Sequence, residues 1–387
     1  MNIFLTGATG FLGGELLVDL SKRKEIDKIY CFIRADSQEE AIKRLGRVFS
    51  LHGDAFDPNR IIPVCGNLFD VNLSQSLGDN KDLQQVDVII HSAANTSFSR
   101  IYDELVEQVN IAGLEKLLKW AANLPHLQTF LYIGTATICG KDIHNRVVTE
   151  DESPNQAARH LVRYTYTKMQ GELLLDAYLP REKILIARPS IIMGDSREVT
   201  PRSPVILWTV ATINRLRFIP VSEHAMLDMI PVDYASQSII ALLFAKRQHH
   251  VYHISSGYEA STSVYKLSRS LEPYFSELPP FRFVHKSMLA QVKLWARNKC
   301  KPGSELFQYQ PYLDYWNQAL DGPGSLRILL AGLGPYLEFI ELGQAFDNGR
   351  LLRDVAEVKQ SVPADQYIKS CMRFIEKINI LEGAIDP

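Results

Sequence analysis

Short apolar runs and longer amphipathic stretches alternate through the first half of the chain. Ile3–Leu5 opens the series. Segments 28–34 (KIYCFIR), 60–64, 87–91 (DVIIH), 128–133 and 183–188 repeat its brief β-branched and aromatic character. Each is bounded by turn residues and too short for a helix, so each reads as a buried strand. Between them, 15–20, 37–50, 102–123 and 164–178 carry apolar residues at helical spacing. In 102–123 that spacing puts Leu105, Val109, Ala112 and Leu117 on one side. Regular strand–helix alternation predicts parallel β-α-β units and an α/β fold with an open, doubly wound parallel sheet. Ligand then belongs at the carboxyl ends of the strands.

After Gly194 the alternation degrades, punctuated by Pro201, Pro204, Pro220 and Pro231. Residues 251–255 (VYHIS) read as one more strand returning to the sheet, and 258–387 is mainly helical and rich in aromatics. The pattern predicts a sheet domain from 1–194 plus 229–257. A smaller, mainly helical C-terminal substrate lobe would combine 195–228 with 258–387.

Composition narrows the function classes. With 42 Lys and Arg against 44 Asp and Glu, the net charge is -2, so no basic field argues for nucleic acid. The five cysteines (Cys31, Cys65, Cys139, Cys300, Cys371) form no C-x-x-C pair, which points away from zinc and from a disulfide framework. Reduced thiols suit a cytoplasmic location. The chain enters its first strand at once, so a secretory leader is not expected. The apolar run 328–336 is too short to span a membrane.

The candidate chemistry begins at 6–13 (TGATGFLG), directly between the first strand and the first helix. Gly7, Gly10 and Gly13 allow a tight turn and close approach of a pyrophosphate to the main chain. The helix start then faces that anion with free N–H groups. Tyr164 and Lys168 form Y-x-x-x-K, one turn apart on one helix face. A neighbouring ammonium and a nicotinamide ring favour phenolate and bring tyrosine into working range. Thr135 ends the fifth strand and projects a hydroxyl where a substrate carbonyl needs a donor. Near the end of strand two, an NAD enzyme places an acid to take the ribose 2′-OH. Here Arg34 stands there and Arg44 follows on the next helix, a pairing suited to a 2′-phosphate and hence to NADPH. Asp36, two residues later, is the rival position, and a solvated helix residue is the plain reading of Arg44.

Taken together, GATGFLG (7–13), IRA (33–35), GNL (66–68), HSAANTSF (91–98), VNIAG (109–113), TATICG (135–140), YTYTK (164–168) and RPSIIMGDS (188–196) resemble the extended short-chain dehydrogenase/reductases. Within that group the chain is similar to the thioester reductases and fatty acyl-CoA reductases. The resemblance is dense over about the first 200 residues and echoes weakly at 335–348. It implies a Rossmann fold, with Thr135 holding the carbonyl, Tyr164 giving the proton and Lys168 binding the nicotinamide ribose. It implies cofactor contacts at Gly7, Thr9, Gly10, Phe11, Leu12, Gly13, Arg34, Arg44, Asn67, Leu68, Ala93, Ala94, Pro189, Ser190 and Ile191. Asn110 is expected to be structural. Asn67 departs from the family's Gly-Asp-Leu, which alters the expected adenine contact.

The implied activity is NADPH-dependent reduction of an acyl thioester, carried on CoA or on a separate carrier protein, to an aldehyde; the sequence leaves open whether a second reduction to the alcohol follows. The alternatives are a ketone, steroid or nucleotide-sugar enzyme of the same fold, and a non-catalytic dinucleotide-binding scaffold. Phe98, Ile138, Met193, Trp208 and Phe218 flank the expected cleft as candidates for an acyl channel, though core packing explains each equally well. Residues 286–301 carry Lys286, Lys293, Arg297, Lys299 and Lys301 without an acid. Such a basic amphipathic helix suits CoA phosphates, an acidic carrier or peripheral membrane contact, and a solvated surface face is the plainer reading. His91 reads as structural, with no metal-ligand spacing around it.

Overall fold

The computed structural model describes residues 1–197, 204–320 and 323–385. Pro201 and the rest of 198–203 lie outside the described residues. Seven parallel strands form the central sheet: β1 (Asn2–Thr6), β2 (Lys28–Ile33), β3 (Ile61–Cys65), β4 (Val88–His91), β5 (Thr129–Ile133), β6 (Ile184–Pro189) and β7 (Val251–Ile254). Their spatial order is β3-β2-β1-β4-β5-β6-β7. The order reverses direction between β1 and β4, and that switch point opens a crevice at the strand ends.

Alternation along each strand sends side chains to two faces. Ile3 and Leu5 join one core with α1 (Phe11–Ser21), α2 (Gln38–His52) and a later helix, Val232–Phe244. Phe4, Ile89, Phe130 and Tyr132 join the other with α3 (Leu114–Ala121) and α4 (Arg163–Tyr178). Fully buried strands flanked by helices explain why the sequence shows continuous apolar runs. The strand expected at 251–255 is present as the sheet edge, paired in parallel with β6.

The long helix expected at 102–123 is irregular. Asp103–Glu107 leads into a π-turn, Gln108–Gly113, before α3 begins. The buried face is Val106, Asn110, Gly113, Leu114, Leu117 and Leu118. Leu105 is exposed, as is Ala112, so of the expected stripe only Leu117 is fully buried. The face rotates because the Asn110 amide, a polar group, is the one the neighbouring loop needs.

A separate hydrophobic core gathers 193–229 with 264–375, including α5 (Pro204–Leu216), α7 (Met288–Trp295), α8 (Gln310–Ala319) and α9 (Pro323–Ile340), where α6 denotes Val232–Phe244. One part of 258–387 goes elsewhere. Leu351 and Val355 pack into the sheet core beside α6, and Arg350 pairs with Asp151.

Candidate active site

β1 ends at Thr6 and the chain turns at Gly7, whose φ is +74°. A Cβ there would be strained and would lie 2.7 Å from Ala93 N. At Gly13 a Cβ would come 2.1 Å from Gly7 O, so the first turn of α1 packs directly on the loop. Gly10 caps α1 with no side-chain hydrogen bond, and the first turn holds no acid. Its N–H groups and the positive end of the helix dipole are therefore left for an anion. Phe11 and Leu12 supply that turn. This cradle fits a dinucleotide pyrophosphate.

Thr6 fixes the neighbouring loop. Its Oγ1 accepts from Ala93 N at 3.1 Å and lies 2.9 Å from His91 Nδ1. Burial and the Lys168 ammonium push His91 down to about 3, so it is a neutral imidazole stacked on Tyr132. It is structural, and no metal-holding cluster of His, Cys, Asp or Glu occurs among the described residues. Ala93 and Ala94 follow, half-buried, at the mouth of the crevice.

Arg34 directly follows β2, exposed and without an ion pair among the described residues. Arg44 reaches back from α2. It donates to the Arg34 carbonyl and, at 3.3 Å, to Thr9 Oγ1. One guanidinium thus ties the end of β2 to the glycine turn. Asp36 is exposed and its N–H is taken by Glu40 at 3.0 Å. On the far side, Asn67 Oδ1 accepts from Phe69 N at 3.1 Å, which holds the loop in an Asx turn. Leu68 is buried, and its carbonyl accepts from Lys116 at 3.3 Å.

Thr135 caps a short helical turn, Ala136–Cys139, that packs against α4. Its hydroxyl lies 3.0 Å from Thr137 Oγ1. Tyr164 sits in the first turn of α4, and burial pushes its phenol up. Lys168, one turn on, is 3% exposed. Its Nζ donates to Ile133 O at 2.7 Å and lies 4.9 Å from the centre of the Tyr132 ring. Burial pulls the ammonium down to about 7, and Glu172 opposes that fall. Asn110 is structural as expected. Its amide accepts from Asn95 N at 2.8 Å and donates to Asn95 O and Thr167 Oγ1, both at 2.9 Å. The loop after β4 is thereby clamped to α4 beside Lys168.

At the far end of β6, Pro189 closes the strand. Ser190 N donates to Ile254 O at 2.9 Å and Ile191 N to Asp228 O at 3.2 Å. Asp228 is a buried hub that sequence reasoning passed over. Its carboxylate accepts from Ser256 N and Oγ at 2.8 Å and from Phe346 N at 3.0 Å. Burial still raises it to about 6. Glu172 and Arg188 were also missed. The Arg188 guanidinium grips Glu172 through Nε at 2.8 Å and Nη2 at 2.7 Å. The available signal was a charge inside an apolar run, Asp228 in LDMI and Arg188 in ILIAR, since a buried charge demands a partner.

An NAD-binding family model described as "Male sterility protein" matches residues 5–239, more than half of the chain. The chain belongs to this family. Among family relatives, a linear gramicidin synthase polypeptide of Brevibacillus parabrevis is 33% identical over 246 residues. That match covers 62% of this chain and 5% of the synthase polypeptide. Human fatty acyl-CoA reductase 2 is 26% identical over 330 residues, covering 73% of this chain and 63% of the reductase. The chain thus spans less than two thirds of either relative. The terminal R domain of the myxalamid PKS-NRPS pathway superposes with a TM-score of 0.69 at 21% identity, covering 96% of this chain and 91% of that one. UDP-glucuronic acid 4-epimerase from Bacillus cereus, in complex with UDP-glucuronic acid and NAD, superposes at 0.64 with 18% identity, covering 97% and 99%. These neighbours share the fold.

In this family member the channel candidates divide. Phe98 lies over the site, its ring 6.3 Å from that of Tyr164. Trp208 and Phe218 belong to the lobe core instead. Trp208 Nε1 donates to Ile380 O at 2.7 Å, and Phe218 packs among Tyr309, Tyr312 and Trp316. Ile138 and Met193 are also fully buried. Large aromatics in the sequence cannot distinguish a channel from a core, because both are apolar. The basic stretch forms α7 and the turn after it. Met288, Val292 and Ala296 face the lobe core, which consumes most of the apolar stripe. Lys286, Arg297, Lys299 and Lys301 are exposed and make no ion pair among the described residues. No described helix is long and apolar enough to cross a membrane.

Proposed function

We propose that this protein is an NADPH-dependent reductase of acyl thioesters. The observation that carries the reading is the Tyr164–Lys168 pair, set on α4 beside the Thr135 turn, in a chain that also carries the uncapped glycine cradle. Bound NADPH would supply a hydride to the thioester carbonyl carbon. Gly7, Thr9, Gly10, Phe11, Leu12 and Gly13 would hold its pyrophosphate, and Arg34 and Arg44 its 2′-phosphate. Asn67, Leu68, Ala93 and Ala94 would flank the adenosine, and Pro189, Ser190 and Ile191 the nicotinamide.

The chain's own groups then act on the carbonyl oxygen. Thr135 and Tyr164 donate hydrogen bonds to it and stabilise the charge that develops there. Tyr164 gives its proton to that oxygen, and the Lys168 ammonium lowers the cost of the phenolate left behind. Collapse of the hemithioacetal expels the thiol and leaves an aldehyde. The relatives named for fatty acyl-CoA reduction support a CoA thioester, and the terminal R domain supports a carrier-bound one. A second round would give an alcohol. We also propose that 195–228 and much of 258–387 form the substrate lobe, that the exposed cations of 286–301 meet an anionic carrier or CoA, and that the protein works in the cytoplasm.

The test is NADPH oxidation across a panel of acyl-CoA and carrier-bound substrates with released thiol and aldehyde measured together. Stoichiometric thiol is expected. Hydride consumption without thiol would move the reading to a ketone or nucleotide-sugar substrate. No turnover with tight NADPH binding would move it to a sensing scaffold.

A further inference from the structure

Three charged side chains are buried in the interior behind the candidate site. Lys168 is 3% exposed, Glu172 2% and Arg188 1%. A buried ammonium is costly unless something compensates it. Lys168 has one short hydrogen bond, to Ile133 O, and the face of Tyr132. His91, on β4, is neutral and offers no charge. On α4 itself Tyr164 is a protonated phenol, and Asp176 lies beyond Glu172 toward solvent. The anion nearest Lys168 along the helix face is Glu172, four residues on.

Glu172 is not free to move. Both of its oxygens are engaged by the planar fork of Arg188, which projects from β6. Arg188 Nη1 is itself anchored on Glu152 O at 3.1 Å. The pair also underlies the strand end. A Cβ at Gly134 would stand 3.1 Å from Glu172 Oε1 and 3.6 Å from Arg188 Cγ. Gly134 lies between Ile133, whose carbonyl holds Lys168, and Thr135. One ion pair therefore packs against the short backbone segment that carries both the carbonyl accepting from the lysine and the threonine.

We infer that Glu172, locked by Arg188, is a positioning residue that keeps the Lys168 ammonium charged and aimed at the cofactor ribose. The inference rests on the reading of Lys168 as a cofactor contact, and it extends that reading beyond the Thr–Tyr–Lys set. The pair is neutral overall, but its negative partner stands on α4 one helical turn from the lysine and opposes the fall that burial imposes on the ammonium. Removing that partner lets the lysine lose its proton at a lower pH.

The experiment reads NADPH affinity by fluorescence from about pH 5 to about pH 10, independently of turnover. In the wild type, affinity is expected to fall on the alkaline side as Lys168 loses its proton. Glu172→Gln should move that fall to lower pH by about one unit or more. Because a lone buried Arg188 threatens the fold, the double variant Glu172→Gln/Arg188→Met removes the whole pair, a change that is often neutral for stability. The same acid-ward shift is expected there. Lys168→Met should bind weakly with no alkaline fall. A flat wild-type profile, an unshifted fall in a folded variant, or a persistent fall in Lys168→Met would overturn the inference. Absence of thiol release with these shifts intact would sink the thioester reading and leave this one standing.

Discussion

The ring of Phe98 lies nearly parallel to that of Tyr336, with centroids 4.8 Å apart and planes at 12°. Phe98 comes from the loop after β4 and Tyr336 from α9, so this contact joins the sheet domain to the lobe directly above Tyr164. Phe339 adds a tilted contact at 5.4 Å. Phe98→Ala is expected to cost about 1–3 kcal/mol of stability through the lost stack and cavity. It should raise KM for the acyl substrate while NADPH affinity stays near the wild-type value. Urea denaturation and steady-state kinetics check both parts. An unchanged KM would detach Phe98 from the acyl path.

Tyr164→Phe removes one oxygen and leaves the ring on Phe98. Turnover should fall by about 10²–10⁴-fold, the usual worth of a positioned acid. Cofactor affinity should hold. Thr135→Val should cost a smaller factor, because Tyr164 still donates to the oxyanion. Retention of full turnover in Tyr164→Phe, measured by NADPH oxidation, would refute the acid role.

Arg44 links Thr9 to the end of β2. Arg44→Ala should weaken NADPH by about tenfold or more, the worth of a charge-assisted phosphate contact. NADH should change far less. Isothermal titration with both cofactors decides the matter, and equal losses would remove the 2′-phosphate from this corner.

Glu150 is a buried carboxyl raised to about 7, chiefly by burial and then by the nearby Asp347 charge. Between its ordinary value near 4.5 and about 7, the folded protein holds a proton that the unfolded chain has lost. The sign follows: this group's contribution to stability falls as pH rises through that window. Glu150→Gln mimics the protonated form. Its melting temperature should exceed the wild type at pH near 8 and match it at pH near 5. Equal melting temperatures at both would show that Glu150 ionises without penalty.

Much of the sheet was legible because its strands are buried on both faces and the crossovers between them are helical. Ile3–Leu5 and the glycines that follow announce a strand, a turn and a helix within a few residues, and local sterics leave little choice there. The Tyr164–Lys168 spacing needs only a helix to put both side chains on one face. The stripe Leu105–Val109–Ala112 failed for the opposite reason. A π-turn shifts the helical phase, and the polar Asn110 is drawn inward by Asn95 and Thr167, partners far away in the chain.

The sequence by itself determined what local geometry controls: the order of strands and helices, the glycine turn, and the residue types available for acid–base work. Tertiary structure alone decided which distant groups meet. Arg188 finds Glu172, Asp228 finds Phe346, and Trp208 turns into a core while Phe98 turns over the site. Burial and charge compensation are properties of the packed interior, and no window of neighbouring residues contains them.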